Sequence, residues 1–326
     1  AENRVADSVK ELQREFTGNS FHLHMYMGVY EIRDRDEAVS IMVDKANIAA
    51  DTIKNNYDCC VSYYDEHLLE ISIEQRRLLG EFEPALQNDE FVMYLQPQVN
   101  RDGVARGAEA LVRWAHPSRG ILTPYAFIDI LENAGLIYKL DLYIWEKAAQ
   151  KLAEWKEKGY GSYHISVNIS TKDFYIIDIY ETFTGLINKY GIAASNLHLE
   201  ITEKTLMTDF EKNMNIIHKL QNVGFRMEID DFGSGYSSLN MLKDISADVL
   251  KIDMGFLRKS ENEVKGQDIL ESIITLAGKI GMDVITEGVE TKKQLDMLTM
   301  MGCHEFQGYY FSKPVPVSEF EEKYLV

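Results

Sequence analysis

Three cysteines in 326 residues, Cys59, Cys60 and Cys303, are too few and too irregularly placed for a disulfide framework or a thiolate metal site. Two are adjacent and the count is odd, so they read as free thiols of a reducing compartment, which sets a cytoplasmic expectation. Proline is scarce at six, and no stretch is rich in proline or serine. No apolar run approaches the roughly 20 residues of a membrane span, and no signal peptide is visible. The chain opens on a charged helical stretch, Ala1 to Phe16, as a piece of something longer would. The expectation is no membrane contact from this segment, even if its parent is a membrane-anchored sensor. Positive charge is also short, with 34 basic against 52 acidic residues and a formal net charge of -18. That argues against a nucleic-acid polymer as partner, because a phosphate backbone asks for a basic face. A small phosphate ligand stays open if metal ions supply the positive charge.

What is present is ordinary for a soluble globular protein, with 45% hydrophobic and 26% charged residues. The length suits one large domain and a small one. Composition shifts near residue 72. Before it lie a helix-like stretch (Val5 to Phe16), a strand-like run (His22 to Tyr30), a helix-like run (Glu37 to Lys54) and a second strand (Cys60 to Tyr64), a small α+β piece. A charged helical segment, Ile73 to Asn88, follows. From Phe91 short apolar strands alternate with amphipathic helices. The strands read Phe91 to Leu95, Gly107 to Val112, Ile165 to Ile169, Leu197 to Ile201, Arg226 to Ile229, Val249 to Ile252, Val284 to Thr286 and Glu305 to Tyr310. One helix places Leu142, Trp145, Ala149, Leu152 and Trp155 at three- and four-residue spacing, and another does so with Ile269, Ile273, Leu276 and Ile280. Eight strands over about 235 residues have the rhythm of a (β/α)8 barrel. No helix separates the first two strands, so an irregular first quarter is expected. A doubly wound sheet is the rival.

Acidic or amide residues recur at strand ends: Glu109, Asn168, Glu200, Asp230 with Asp231, and Glu287, with Lys251 in a further strand. Their neighbours alternate apolar and polar, so these side chains point outward or into a polar barrel mouth. One acidic residue at a strand end is usually a helix cap or a solvated group. Several gathered on separate strands repel one another, and divalent cations relieve that repulsion. The donors are oxygens, with no evident histidine among them, which suits Mg²⁺ or Mn²⁺ better than zinc.

The segments Glu109-Ala110-Leu111 with Arg113-Trp114, Val167-Asn168-Ile169-Ser170, Glu200-Ile201-Thr202-Glu203, Asp230 to Ser238, Lys251-Ile252-Asp253, Glu287-Gly288-Val289-Glu290 and Gln307-Gly308-Tyr309 resemble the EAL phosphodiesterase family, in its order. The resemblance spans nearly all of residues 75 to 326. It implies a modified TIM barrel over residues 73–326 that hydrolyses cyclic di-GMP to linear pGpG with two Mg²⁺ or Mn²⁺ ions. By that resemblance Glu109, Asn168, Glu200 and Asp230 bind one metal, and Asp230, Asp231 and Glu287 the second. Lys251 holds the attacking water, Glu287 is a candidate general base, and Glu203 braces the loop from Asp231 to Ser238. Gln96, Leu111, Arg113 and Gln307 line the substrate groove, and a homodimer through the barrel is implied. Ser234, Thr286 and Gln98 stand where the family commonly has threonine, alanine and an aliphatic residue. A catalytically silent cyclic di-GMP receptor and a signalling scaffold are the alternative readings.

Residues 20 to 65 resemble the last part of a diguanylate cyclase (GGDEF) domain, through Met27-Gly28-Val29-Tyr30 and Asp44 to Ala50. The turn that names that domain is absent, so 1–72 is expected to be a partial, non-synthesising segment. Gly233-Ser234-Gly235 lacks the third glycine and the lysine of a phosphate cradle and reads as a loop. The eight histidines show no metal spacing, His22 and His24 read as ordinary strand residues, and Arg33 to Asp36 as a solvated turn.

Overall fold

A computed structural model describes residues 25–54, 60–232, 245–253, 255 and 263–325. The chain divides into two compact units between Glu83 and Pro84, inside one helix, Glu66–Gln87.

In the first unit β1 (Met27–Val29) and β2 (Val61–Tyr63) pair in parallel. Parallel neighbours need a crossover, and the helix Val39–Asp51 supplies it. Gly28 lets that helix close on β1: a Cβ there would fall 1.8 Å from the Ala46 carbonyl oxygen. The Tyr30 hydroxyl donates to Glu37 Oε2 at 2.8 Å and Lys45 Nζ reaches Glu37 Oε1 at 2.5 Å, which ties the loop before the helix to the helix itself. The elements expected over 22–30, 37–54 and 60–64 are present in shortened form. Residues 5–16, His22, His24 and Cys59 lie outside the described residues.

The second unit is a closed barrel. Its strands are β3 (Phe91–Asn100), β4 (Ala105–His116), β6 (His164–Ile169), β7 (Leu197–Thr202), β8 (Met227–Asp230), β9 (Val249–Asp253), β10 (Asp283–Glu287) and β11 (Glu305–Phe306). They run in the order β3-β11-β10-β9-β8-β7-β6-β4, and the ring closes because β3 also pairs with β4. Closure excludes the doubly wound sheet, which has two edges. Seven strands run parallel, whereas β3 is antiparallel to both neighbours. This hairpin is the irregular first quarter: without a helix between β3 and β4, only antiparallel pairing is reachable. Two short strands, β5 (Gly120–Leu122) and β12 (Val315–Pro316), add to β4 and β3 outside the ring.

Apolar residues fill the layer between strands and helices. The helix Ile137–Glu157 buries Ile137, Leu140, Ile144, Trp145, Ala148, Ala149, Leu152 and Trp155, a face close to the expected one. In the helix Glu263–Lys279 the stripe differs from expectation. Leu270, Ile273, Ile274 and Ala277 are buried, while Ile269 and, just beyond the helix, Ile280 are exposed. This helix carries more apolar residues than one face can bury, and periodicity alone does not choose between adjacent stripes. The terminal helix Val317–Tyr324 is fastened by Trp155, whose Nε1 donates to Glu321 Oε1 at 2.8 Å while its ring stacks on Phe320.

Inside the ring the pattern reverses. TIM barrels are usually filled by branched apolar side chains. Here His164, Ser166 and Asn168 of β6, His198 and Glu200 of β7, Glu228 and Asp230 of β8, and Lys251 of β9 make a polar interior, joined by the contacts described below.

Candidate active site

The carboxylates expected at strand ends converge on one lysine. Lys251, in the middle of β9 and 1% exposed, places Nζ 2.7 Å from Glu287 Oε1, 2.9 Å from Glu200 Oε1, 3.4 Å from Glu109 Oε2 and 3.8 Å from Asp230 Oδ1. Glu109 is also held from the other side. Asn168 Nδ2 donates to its Oε1 at 3.1 Å and Gln307 Nε2 to its Oε2 at 2.5 Å. Gln307 Nε2 also reaches Gln96 Oε1 at 3.3 Å, and Gln96 Nε2 donates to the Ser312 carbonyl at 3.3 Å. Register explains the convergence: Asn168 lies beside Glu200, Thr202 beside Asp230 and Gln96 opposite Glu109. From the helix packed outside β6, Trp145 Nε1 donates to the Asn168 carbonyl at 2.9 Å and fixes that strand end.

Burial sets the electrostatics. It drives the carboxyl of Glu200 well above its ordinary value, with Glu109 adding to the effect, and pushes Glu287 up to about 8. Asp230 also rises through burial, opposed by Lys251. Burial alone would lower Lys251, but Asp230, Glu109, Glu200 and Glu287 together hold it well above the usual lysine range. The contacts are charge contacts rather than aligned hydrogen bonds, since both Glu200 oxygens, Glu287 Oε1 and Lys251 Nζ are buried without a hydrogen-bond partner. Buried oxygens without donors, from an all-oxygen ligand set, are what a hard divalent cation satisfies. The residues fit such an ion.

Other expected site residues lie apart from this cluster. Asp231 is exposed and takes a left-handed backbone at φ 56°, its N–H donating to Asp230 Oδ1 at 2.8 Å. Glu203 opens the short helix Glu203–Thr208, N-capped by the Thr202 side chain. The loop it was expected to brace lies outside the described residues from 233 onward. Arg113 is half-buried, donates to the Val112 carbonyl at 2.8 Å and lies 5.5 Å from the Tyr94 ring. Leu111 pairs across the hairpin with Tyr94. Sequence reasoning missed the supporting residues Trp145 and Ser312, whose contributions depend on tertiary contact.

A closed (β/α)8-type barrel with ionisable residues gathered toward the C-terminal ends of its strands belongs to the class that builds enzyme active sites at that face. The chain belongs to the EAL domain family, which matches residues 80–314. It is 32% identical over 272 residues to the bifunctional diguanylate cyclase/cyclic di-GMP phosphodiesterase MucR of Pseudomonas aeruginosa, covering 83% of this chain and 39% of that protein. It is 33% identical over 240 residues to the cyclic di-GMP phosphodiesterase PdeR of Escherichia coli, covering 74% of this chain and 36% of that protein. The chain thus spans well under half the length of both. Among solved structures, the PaMucR phosphodiesterase in complex with c-di-GMP superposes with a TM-score of 0.71 at 33% identity, over 75% of this chain and 99% of that one. Among the described residues no helix is long and apolar enough to cross a membrane.

Proposed function

We propose that residues 73–326 hydrolyse one phosphodiester bond of cyclic di-GMP, giving linear pGpG, with two Mg²⁺ or Mn²⁺ ions. The observation that carries this reading is the buried cluster of Glu109, Glu200, Asp230 and Glu287 around Lys251, with carboxylate oxygens left without donors. The cyclic di-GMP phosphodiesterase names of similar proteins supply the substrate. Glu109, Asn168, Glu200, Asp230, Asp231 and Glu287 would hold the ions. When bound, two divalent ions lower the pKa of water and neutralise phosphate charge.

The chain's own residues do the rest. Gln307 and Gln96, already joined beside Glu109, present amide groups to the substrate, with Arg113 and Leu111 on the neighbouring hairpin. Lys251 orients the attacking water and offsets charge that grows in the transition state. Glu287 is the nearest carboxylate to that ammonium and is the candidate base. Glu203 acts on the loop that begins at Asp231. The same reading makes the barrel a homodimer and a cytoplasmic unit, and makes residues 1–72 a GGDEF remnant without cyclase activity.

Incubation of the chain with cyclic di-GMP and Mg²⁺, read by chromatography, tests the reaction. Lys251→Ala is expected to lose about 10²-fold in kcat, the scale of one electrostatic catalytic group, with little change in substrate binding. Binding without turnover in the parent chain would make it a receptor and refute the reading.

A further inference from the structure

The polar interior of the barrel continues past the carboxylate cluster to the opposite, N-terminal end of the strands. There a cavity of about 470 Å³ is lined by His164, His198, Glu228, Arg106, Arg226 and Glu305, among others. Donor atoms of His164, His198 and Glu228 lie within 4.8 Å of one another. We propose that these three residues form a second metal site, selective for a divalent transition ion of the zinc class.

The hydrogen bonds set the tautomers. His164 lies 2.7 Å through Nε2 from Gln98 Oε1, an oxygen that can only accept, so Nε2 carries the hydrogen and Nδ1 the lone pair. His198 Nδ1 lies 2.6 Å from Glu228 Oε1, a carboxylate oxygen, which leaves the His198 Nε2 lone pair free. Neither free nitrogen has a partner among the described residues. Ligating histidines are characteristically held this way, the far N–H donated to a carbonyl or carboxylate. Glu228 is 0% exposed and supplies the negative charge, and Ser166 Oγ donates to its Oε1 at 3.1 Å. Burial, reinforced by His198, keeps His164 down at about 3, hence neutral, the form a metal ligand needs.

The donor set selects the ion. Imidazole nitrogens suit zinc, copper, nickel and cobalt, whereas Mg²⁺ takes oxygen. One barrel would therefore sort two kinds of ion, hard cations among the oxygens at one end and a borderline cation at the imidazoles of the other. Two features oppose binding. The imidazole rings stack at 3.8 Å with only 4° between planes, so their lone pairs do not meet at a point and coordination turns a ring about χ2. The flanking guanidiniums are occupied elsewhere: Arg226 pairs with Asp283 at 2.5 Å and Arg106 lies 3.6 Å from Glu305. An ion there would cross-link β6, β7 and β8. Because Glu228 lies beside Glu200 in the strand register, it would adjoin the carboxylate cluster.

The test uses the full chain, stripped of metal and then saturated with Mg²⁺ to occupy the oxygen site. Titration with Zn²⁺ against a chromophoric chelator should show one further equivalent. The double variant His164→Asn/His198→Gln should lose it or bind about 10²-fold more weakly, since both nitrogen ligands are gone. Asp230→Asn, altered only in the oxygen site, should keep it. Co²⁺ loaded into the parent chain gives a second readout independent of any variant's folding, in which paramagnetically shifted imidazole N–H resonances are expected. No Zn²⁺ uptake above Mg²⁺ saturation, equal uptake by the double variant, or a Co²⁺ form without imidazole resonances would each overturn the proposal.

Discussion

Lys251→Met removes the ammonium from its four carboxylates and keeps a side chain of similar length. In the metal-free chain this leaves Glu109, Glu200, Asp230 and Glu287 around an apolar group, with Glu200 fully buried. Removing one partner of a buried ion pair costs about 3–5 kcal/mol, because the remaining charge loses its compensation. Proton uptake by Glu200 and Glu287, both already shifted upward, limits the loss, so the lower end of that range applies at acidic pH. The barrel unit runs from Pro84 to Val326. For a domain of that size each kcal/mol moves Tm by about 2–4 °C, so the expected fall is about 6–20 °C. Saturating Mg²⁺ supplies positive charge to the same oxygens and should recover most of it. Thermal melts of both proteins in EDTA and in Mg²⁺ read the difference. A fall in EDTA of less than about 2 °C, under 1 kcal/mol on the same scale, or an equal fall in both conditions, would refute the view that Lys251 stands in for a cation.

Turnover of cyclic di-GMP is expected with Mg²⁺ or Mn²⁺ and scarcely with Ca²⁺, whose larger shell of six to eight ligands makes it a poorer activator of water; equal rates with all three ions would count against the two-ion reading. Gly308→Ala places a Cβ 2.2 Å from the Val289 carbonyl oxygen and 2.4 Å from its nitrogen, so the backbone must move. A loss of about 1–3 kcal/mol in a urea titration is expected, and the Gln307 amide should shift away from Glu109. Asp141, on the helix Ile137–Glu157, is raised well above its ordinary value by burial and by the nearby Asp173, with which it shares a hydrogen bond. The folded state therefore holds a proton that the unfolded state releases first, and stability falls as pH rises above the ordinary aspartate pKa. Asp141→Asn keeps a donor without a titration and should flatten that fall in stability curves measured from pH 4 upward.

The ring of strands was legible because its outer face is apolar and its helices show clear periodicity. Strand length was not. β3 was expected to end at Leu95 but runs on through Gln96, Pro97 and Gln98 to Asn100. Those residues look like a strand breaker when an apolar interior is assumed. Here Gln96 reaches Gln307, and Gln98 reaches His164 and Ser166 inside the barrel, so polar side chains continue the strand. The clustered carboxylates could be picked out singly because each is an acidic residue among apolar neighbours. Their common partner could not, since Lys251 meets four strands only through the curvature of the ring. The histidines were read as lacking metal spacing, and along the chain that holds. His164 and His198 are 34 positions apart and come together because β6 and β7 are adjacent, with Ser166 beside His198 in the register. Spacing rules detect ligands within one helix or loop, and ligands assembled by a sheet escape them.

Charge balance ties these features together. Glu109, Glu200, Asp230, Asp231 and Glu287 carry five negative charges when all are ionised, and Lys251 returns one. The remaining four would be offset by the two divalent cations proposed above. Burial pushes Glu200 and Glu287 toward their protonated forms, and Lys251 lies between them. Glu228, one layer below, follows the opposite course. Burial pushes its carboxyl up, but the hydrogen bond from His198 outweighs that and holds it below the ordinary range. Two buried glutamates side by side on adjacent strands thus shift in opposite directions because one has an imidazole beside it and the other has further carboxylates. The polar interior is therefore stable only as a chain of compensated charges, and substitutions at Lys251 or His198 act on the glutamates that depend on them before they act on substrate.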